Sequence, residues 1–93
     1  MGIEDFKQDI KSGKIKALAL LDVHTQVIKD NTYAQIYLAI RNIKNVYDDY
    51  FTLETYYNDG TPTECEAYYN SFTKYTGNSV SNEHVFYQVF YEV

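Results

Sequence analysis

The chain has 93 residues, of which 45% are hydrophobic, and its formal net charge is −5. This length predicts one domain, residues 1–93, with a core that needs no disulfide or metal ion. The longest apolar run, residues 17–21, is much shorter than the roughly 20 residues of a membrane-spanning helix. The chain has one cysteine, Cys65, and lacks the basic and apolar segments of a secretion signal. These features predict a cytoplasmic protein.

Charge and aromatic residues are distributed unevenly along the chain. Residues 1–46 carry seven Lys and Arg against five Asp and Glu. Residues 47–93 carry one Lys against eight acids, together with nine of the eleven tyrosines. Such asymmetry bears on binding partners rather than on the fold. The many Lys, Tyr, Asn and Ile residues have A/T-rich codons, which indicates an A/T-rich bacterium or one of its mobile elements as the source.

The first predicted element is a helix over residues 3–12. Ile3, Phe6 and Ile10 recur at helical spacing, acidic residues precede the basic Lys11, and a Ser-Gly pair follows. The next segment, residues 14–28, is ambiguous between strand and helix. Its apolar residues alternate from residue 17 to residue 27, which favours a strand, and the strand is the preferred interpretation.

A second helix is predicted after a polar stretch at residues 29–32. Thr32 and Gln35 have the spacing of a capping box, in which both side chains satisfy free backbone groups of a first helical turn. Apolar residues then recur at helical spacing as far as residue 50, with charged and amide residues between them. A strand over residues 34–40 is the weaker alternative, because the alternation ends at Asn42.

Residues 50–57 are rich in strand-forming residues and predict a strand, followed by a turn at residues 58–60. A third helix is predicted over residues 62–76, because Thr61 and Glu64 have capping-box spacing and Pro62 suits a first helical position. The rival interpretation is a hairpin that turns at residues 58–60, with its second strand in residues 63–69.

The last predicted element is a strand in residues 84–93, where alternate residues are apolar and both faces carry aromatic rings. A strand that is apolar on both faces belongs inside a sheet, so we expect it to insert beside earlier strands. The predicted fold class is therefore α+β, one small sheet with two to three helices packed on it. An all-β, hairpin-rich sandwich and a small helical bundle are the alternatives.

Residue patterns typical of enzymes are not found. The four glycines are isolated, so no phosphate-binding loop is formed. His24 and His84 lie sixty residues apart and Cys65 has no second cysteine near it, which disfavours a zinc site. A Cys-His nucleophile is disfavoured because Glu64 and Glu66 flank the cysteine and oppose a thiolate. We therefore expect no catalysis, no metal and no cofactor.

The acidic, tyrosine-rich half predicts a protein-binding surface. Tyrosine offers a large contact area with few rotatable bonds, and adjacent tyrosines cannot both face inward. Carboxylates among exposed rings complement the Lys- and Arg-rich grooves of nucleic-acid enzymes, whereas they repel nucleic acid itself. The predicted partner-binding residues are Asp48, Asp49, Glu54, Tyr56, Tyr57, Asp59, Glu64, Glu66, Tyr68 and Tyr69.

These properties predict a small inhibitor or regulator that occupies the basic nucleic-acid site of a larger protein. In composition alone, with no motif matched, the chain resembles phage-encoded proteins that block host defence enzymes, such as anti-CRISPR proteins. The resemblance implies an anti-defence function encoded by a phage or mobile element. The alternative is a self-associating structural domain that pairs with its own copy through the C-terminal strand.

Overall fold

The computed structural model describes residues 1–92, and the side chains of these residues except 21–26, 33 and 35–38. Its elements are α1 (Ile3–Lys11), β1 (Ala17–Ile28), β2 (Asn31–Val46), β3 (Tyr50–Tyr56), β4 (Pro62–Tyr68), a 3-10 helix (Tyr69–Ser71), β5 (Lys74–Tyr75), β6 (Ser79–Ser81) and β7 (Phe86–Phe90). The strands form an antiparallel sheet in the order β4-β3-β2-β1-β7-β6-β5. Within the described chain, β4 and β5 are thus the terminal strands of the sheet.

A long hairpin of β1 and β2 forms the centre of the sheet. Twelve residue pairs join the strands, from Ala17 opposite Asn42 to Ile28 opposite Asn31. β7 pairs with β1 only over residues 17–20, and β3 joins β2 only near residues 43–46. The far part of the hairpin therefore projects beyond its neighbours as a two-stranded ribbon, and the molecule measures 50 × 32 × 23 Å.

A bulge interrupts the pairing of β2 with β3. The register moves from Ile43 opposite Leu53 to Val46 opposite Phe51, so β2 has one residue more than β3 in this interval. The backbone amide of Asn45 is left without a ladder partner and donates instead to the hydroxyl of Thr52, at 3.1 Å. The bulge thus keeps its hydrogen bonding through a side chain.

The core lies on one side of the sheet, beneath α1. Phe6 is fully buried at its centre. The Phe6 ring centroid lies 5.2 Å from that of Phe72, 5.3 Å from that of Tyr75 and 5.9 Å from that of Phe51. Burial of a large aromatic side chain contributes about 2–3 kcal/mol. We call the side of the sheet that α1 covers the inner face and the opposite side the outer face.

The predicted fold class is wrong in its helices. The structure is mostly β, with α1 as its one α-helix over the described residues, rather than two to three helices on a small sheet. Neither alternative describes it, because the strands form a single connected order rather than two stacked sheets or a helical bundle. The confirmed elements are the first helix, the strands at residues 14–28 and 50–57, and the C-terminal strand between β1 and β6.

The helix predicted from Thr32 to residue 50 is wrong, because these residues form β2 and the turn after it. The turn at Lys29 and Asp30, whose φ angles are 50° and 65°, connects β1 directly to β2, and the two strands pair in antiparallel orientation. Two successive positive φ values match the right-handed twist of a two-residue hairpin. Pairing with twelve residues of β1 thus outweighs the helical spacing of the apolar residues.

The helix predicted over residues 62–76 is also wrong, and the rival hairpin is correct. Gly60, with φ +86°, is the last residue of a turn that is closed by a hydrogen bond from the Gly60 amide to the carbonyl of Tyr57, at 2.9 Å. Pro62 then begins β4, an edge strand in which its missing N–H faces away from the ladder. The last residue of the predicted C-terminal strand, Val93, lies outside the described residues.

Candidate functional site

The outer face of the β3–β4 hairpin collects the acidic and tyrosine residues of the second half of the chain. Phe51 and Leu53 are buried on the inner face, so the even-numbered residues of β3 and their partners in β4 lie on the outer face. These residues include three glutamates and three tyrosines, which we call the acidic face: Tyr50, Glu54, Tyr56, Glu64, Glu66 and Tyr68.

Two tyrosines of the acidic face are hydrogen-bonded to glutamates two residues away. The Tyr56 hydroxyl donates to Glu54 Oε1 at 3.0 Å, and the Tyr68 hydroxyl donates to Glu66 Oε2 at 2.8 Å. Each bond raises the pKa of its phenol, because ionisation would destroy the donor beside a carboxylate. The phenols therefore stay neutral donors at physiological pH and hold the carboxylates on this face.

Glu64 accepts hydrogen bonds from two uncharged side chains. Its Oε1 accepts from Thr52 Oγ1 at 2.8 Å and from Asn45 Nδ2 at 2.6 Å. Thr52 is only 7% exposed, so its hydroxyl positions the carboxylate from within the sheet. These contacts fix the geometry of Glu64 without neutralising its charge.

Among the described side chains, cations contact the acidic face at its border. Lys44 Nζ lies 4.0 Å from Glu54 Oε1, and the Arg41 guanidinium lies 5.8 Å from the centre of the Tyr56 ring. Among the described residues, Glu64 and Glu66 have no salt-bridge partner. Their two negative charges are therefore open to a cationic partner.

Aromatic rings stack at the end of the acidic face next to the β2–β3 turn. The Tyr50 ring centroid lies 4.7 Å from that of Tyr47 and 5.1 Å from that of Tyr68. Tyr47 and Tyr68 are 46% and 45% exposed. Partial burial, followed by the charge of Glu66, raises the pKa of Tyr50. The stack is a preformed apolar contact surface whose rings keep polar hydroxyls.

The two predicted aspartates of the β2–β3 turn lie beside this stack. Asp48 Oδ1 pairs with Lys11 Nζ at 3.4 Å, and the Asp48 side chain is fully exposed. The carbonyl of Asp49 accepts from the backbone amide of Tyr69 at 3.2 Å. A shallow groove between this turn and the start of α1 is lined by Ile3, Glu4, Lys7, Asp49, Tyr68, Tyr69 and Asn70.

The remaining predicted residues are separated from this stack. Tyr57 and Asp59 lie in the β3–β4 turn, at the opposite end of the hairpin, and Tyr57 is 61% exposed. Asp59 Oδ1 accepts from the Thr61 amide at 2.9 Å, and this bond lowers the pKa of Asp59. Tyr69 is only 4% exposed and packs against the Phe6 ring. It belongs to the core and contributes no accessible ring to the acidic face.

Tyr47, Thr52 and Asn45 belong to the site but were not among the predicted residues. Tyr47 stacks on Tyr50, and the other two residues bind Glu64. The helix predicted for residues 32–50 hid the relation of Asn45 and Tyr47 to the acidic hairpin and, with it, the contact of Asn45 with Thr52. The correct strand register would have placed them beside it.

The residue types considered for catalysis or metal binding lie apart in the described part of the chain. They contain no cluster of three or more His, Cys, Asp or Glu side chains placed to hold a metal. Cys65 is exposed, and its position in β4 places it on the inner face, whereas Glu64 and Glu66 lie on the outer face. His84 is exposed and lies 3.2 Å from Glu83, whereas the side chain of His24 is outside the described ones.

The strand considered for self-association is enclosed by neighbours. β7 pairs with β1 on one side and with β6 on the other, so over its described residues it offers little free edge to a second copy.

The one α-helix in the described range, with nine residues, is too short and too polar to cross a membrane.

Comparison of the chain with protein-family models, with curated proteins and with solved structures gives no match.

Proposed function

We propose that the protein is a non-enzymatic inhibitor or regulator whose acidic face occupies the basic nucleic-acid-binding groove of a larger protein. The observation that carries this proposal is the gathering of Glu54, Glu64 and Glu66 with exposed tyrosines on one side of the β3–β4 hairpin. Carboxylates speed the encounter with a Lys- or Arg-rich groove, and desolvated rings slow the release.

This arrangement lowers the stability of the folded chain, and that loss of stability supports a binding function. Glu54 and Glu64 are directly opposite each other in the register of β3 and β4. Like charges at opposite positions destabilise a sheet by roughly 0.2–1 kcal/mol. Asn42 and Lys44 contact Glu54 and reduce this cost. Residues that lower stability while remaining ordered and accessible are typical of functional surfaces.

The aromatic part of the face supplies anchor residues. Tyr56 and Tyr68 are 52% and 45% exposed, yet their hydroxyls are already hydrogen-bonded to glutamates of the same face. Their positions are thus ordered before binding, which reduces the entropy lost on association. A basic groove that closes over them would contact rings, hydroxyls and carboxylates together.

The proposed place of action is the cytoplasm, where nucleic-acid enzymes and host defence enzymes act. The exposed thiol of Cys65 fits a reducing compartment. We further propose a phage or mobile-element origin with an anti-defence function, on the basis of composition alone.

A competition experiment tests the proposed function. The tagged chain is used to isolate a partner from the source cell, and the partner is then loaded with a fluorescent oligonucleotide. We expect the chain to displace the oligonucleotide, as measured by fluorescence anisotropy, and to do so less effectively as salt screens the charges. Binding of the chain that leaves the oligonucleotide in place would contradict the proposal.

Charge-neutralising variants assign the effect to the acidic face. The double variant E64Q/E66Q keeps the side-chain shape and removes two exposed charges, and we expect about a 10-fold loss of competition, or roughly 1.4 kcal/mol. The matched control is E83Q/E92Q, which removes two exposed charges outside the β3–β4 hairpin. Equal losses in both variants would show that only net charge matters and would remove the acidic face from the mechanism.

A further inference from the structure

The free edge of β4 shows which backbone groups are available to a partner. The amide of Tyr57 donates to the carbonyl of Thr61 at 2.9 Å, and the amide of Tyr69 donates to the carbonyl of Asp49 at 3.2 Å. Both pairs belong to the same continuous register of β3 and β4. Because hydrogen-bonded pairs alternate along an antiparallel ladder, the odd-numbered residues of β4 bond to β3.

The even-numbered residues of β4 therefore direct their backbone groups away from β3. Over the described residues β4 has no neighbour on that side. Glu64 and Glu66 each present an amide and a carbonyl there. Tyr68 presents an amide, because its carbonyl accepts from Ser71 Oγ at 2.7 Å, and Pro62 presents only a carbonyl. The β4 residues that direct backbone groups to this edge thus include the three that contribute side chains to the acidic face: Glu64, Glu66 and Tyr68.

We propose that β4 binds an extended segment of the partner by antiparallel strand addition, and that this segment carries Lys or Arg at alternate positions. This inference rests on the proposed function and specifies the contact. In an antiparallel pair the residues opposite Glu64 and Glu66 lie on the same outer face. Cations at these two positions would meet the two carboxylates that have no salt-bridge partner among the described residues.

The residue between the two cations would lie on the inner face, next to Cys65. Cys65 is exposed and Ala67 is half-buried, so a small or apolar residue fits there. The next position on the outer face would lie opposite Tyr68, where a ring or a long aliphatic chain packs against the stacked tyrosines. Because the partner runs antiparallel to β4, its expected pattern from N-terminus to C-terminus is bulky, small or apolar, cation, small or apolar, cation.

The same charges disfavour a second copy of this chain as the occupant. Antiparallel pairing of two β4 strands about Cys65 would place Glu64 of one copy opposite Glu66 of the other. Directly opposed like charges are destabilising, and charged residues on an edge strand are a common protection against self-pairing. The edge is thus selective for a cationic strand.

Amide hydrogen exchange, measured residue by residue by NMR, tests the inference. The probe is a capped synthetic peptide, Thr-Lys-Val-Lys-Val-Lys-Thr, added to the full chain at low salt. In the free protein we expect slow exchange at Thr63, Cys65 and Ala67 and fast exchange at Glu64, Glu66 and Tyr68. At saturating peptide, we expect exchange at the latter three amides to slow by 10-fold or more, because their amides gain hydrogen-bond partners.

Two control peptides separate strand pairing from charge. Backbone N-methylation of the lysines keeps every charge but removes the donors that would face β4, and we expect an affinity loss of about 5-fold for each hydrogen bond lost. A peptide of the same composition with its lysines contiguous, Thr-Val-Lys-Lys-Lys-Val-Thr, should also bind more weakly.

The outcomes distinguish this inference from the proposed function. Binding that depends on Glu64 and Glu66 but leaves exchange at Glu64, Glu66 and Tyr68 unchanged would overturn strand addition and leave the acidic face intact. No binding of the alternating peptide, or equal binding of the N-methylated one, would overturn strand addition as well. Failure of the proposed function would instead appear as a lack of oligonucleotide displacement in the competition experiment.

Discussion

At the scale of single residues, Thr52 connects the bulge of β2 to the acidic face. Its hydroxyl accepts from the amide of Asn45 at 3.1 Å and donates to Glu64 Oε1 at 2.8 Å. With 7% of Thr52 exposed, water has little access to these groups. An apolar side chain of the same shape would leave the Asn45 amide without its partner, which costs about 1–3 kcal/mol.

We predict that T52V lowers the free energy of unfolding by about 1–3 kcal/mol, as measured by urea denaturation. T52S keeps the hydroxyl and should lose less, since only a methyl group is removed. T52V should also weaken any binding that depends on Glu64, whose carboxylate loses a donor. A T52V protein as stable as the original chain would show that the bulge does not depend on this side chain.

The sequence predicted an excess of exposed tyrosine but could not decide which member of each adjacent pair is exposed. Tyr68 is 45% exposed and Tyr69 is 4% exposed, which follows directly from alternation once the segment is known to be a strand. Tyr56 and Tyr57 are both exposed, because Tyr57 lies in the turn beyond the core. The candidate site therefore depended on strand assignment, which was wrong for residues 62–76.

At the scale of elements, the turn of the β1–β2 hairpin is formed by residues poorly suited to it. Lys29 and Asp30 both have positive φ, at 50° and 65°. Gly, Asn and Asp tolerate this region, whereas a residue with an ordinary Cβ, such as Lys29, is disfavoured by roughly 1–2 kcal/mol. Asn followed by Gly is the preferred pair for such a turn.

We predict that K29N/D30G stabilises the hairpin by about 1 kcal/mol. Slower amide exchange in β1 and β2 and a higher melting temperature would be the evidence. The control is D59N, a change in the β3–β4 turn at a residue whose φ is not positive, which should slow no exchange in β1 or β2. A destabilised K29N/D30G protein would indicate that the turn has a different geometry in solution.

Local helix signals failed in this chain because tertiary pairing outweighs them. A Thr with Gln or Glu three residues later stands at the start of β2 and before β4, and in neither case does a helix follow. A capping box contributes about 1 kcal/mol, whereas β2 gains a complete ladder with β1. In α1, by contrast, Phe6 and Ile10 bury an amphipathic face that no strand competes for, so the local prediction was sufficient.

At the scale of the whole molecule, tyrosine ionisation couples the fold to alkaline pH. The pKa is raised for six tyrosines of the described residues, by burial or by bonds to carboxylates: Tyr50, Tyr56, Tyr68, Tyr69, Tyr75 and Tyr87. Tyr75 is 2% exposed and donates to Asp9 Oδ2 at 2.6 Å. Burial is the larger cause of its shift, and the bond to Asp9 adds to it.

Because these phenols hold their protons more tightly in the folded chain, their contribution to stability is complete below pH about 10, the value for unfolded tyrosine. It is lost as the pH rises above that value, since the unfolded chain then releases protons that the folded chain keeps. We predict a free energy of unfolding that changes little from neutral pH to about 9 and falls steeply beyond 10.

Y75F tests the contribution of one buried phenol to this pH dependence. We expect Y75F to be less stable at neutral pH, because the bond to Asp9 is lost, and to lose stability less steeply above pH 10. Denaturant titration at a series of pH values provides the measurement. If the free energy of unfolding depends on pH in the same way in Y75F and in the original chain, then the pKa of Tyr75 does not differ between the folded and unfolded states, which would contradict the prediction.

Because α1 covers one side of the sheet, the residues of the β3–β4 hairpin form two sets with separate functions. Phe51 and Leu53 maintain the scaffold from beneath α1, while their even-numbered neighbours face away from it. With the exception of Thr52, which supports the bulge of β2, the second set can change with little effect on the first. A chain of this design can change the molecule it recognises over few mutational steps, and relatives that share its backbone can diverge in sequence until only the inward positions remain alike.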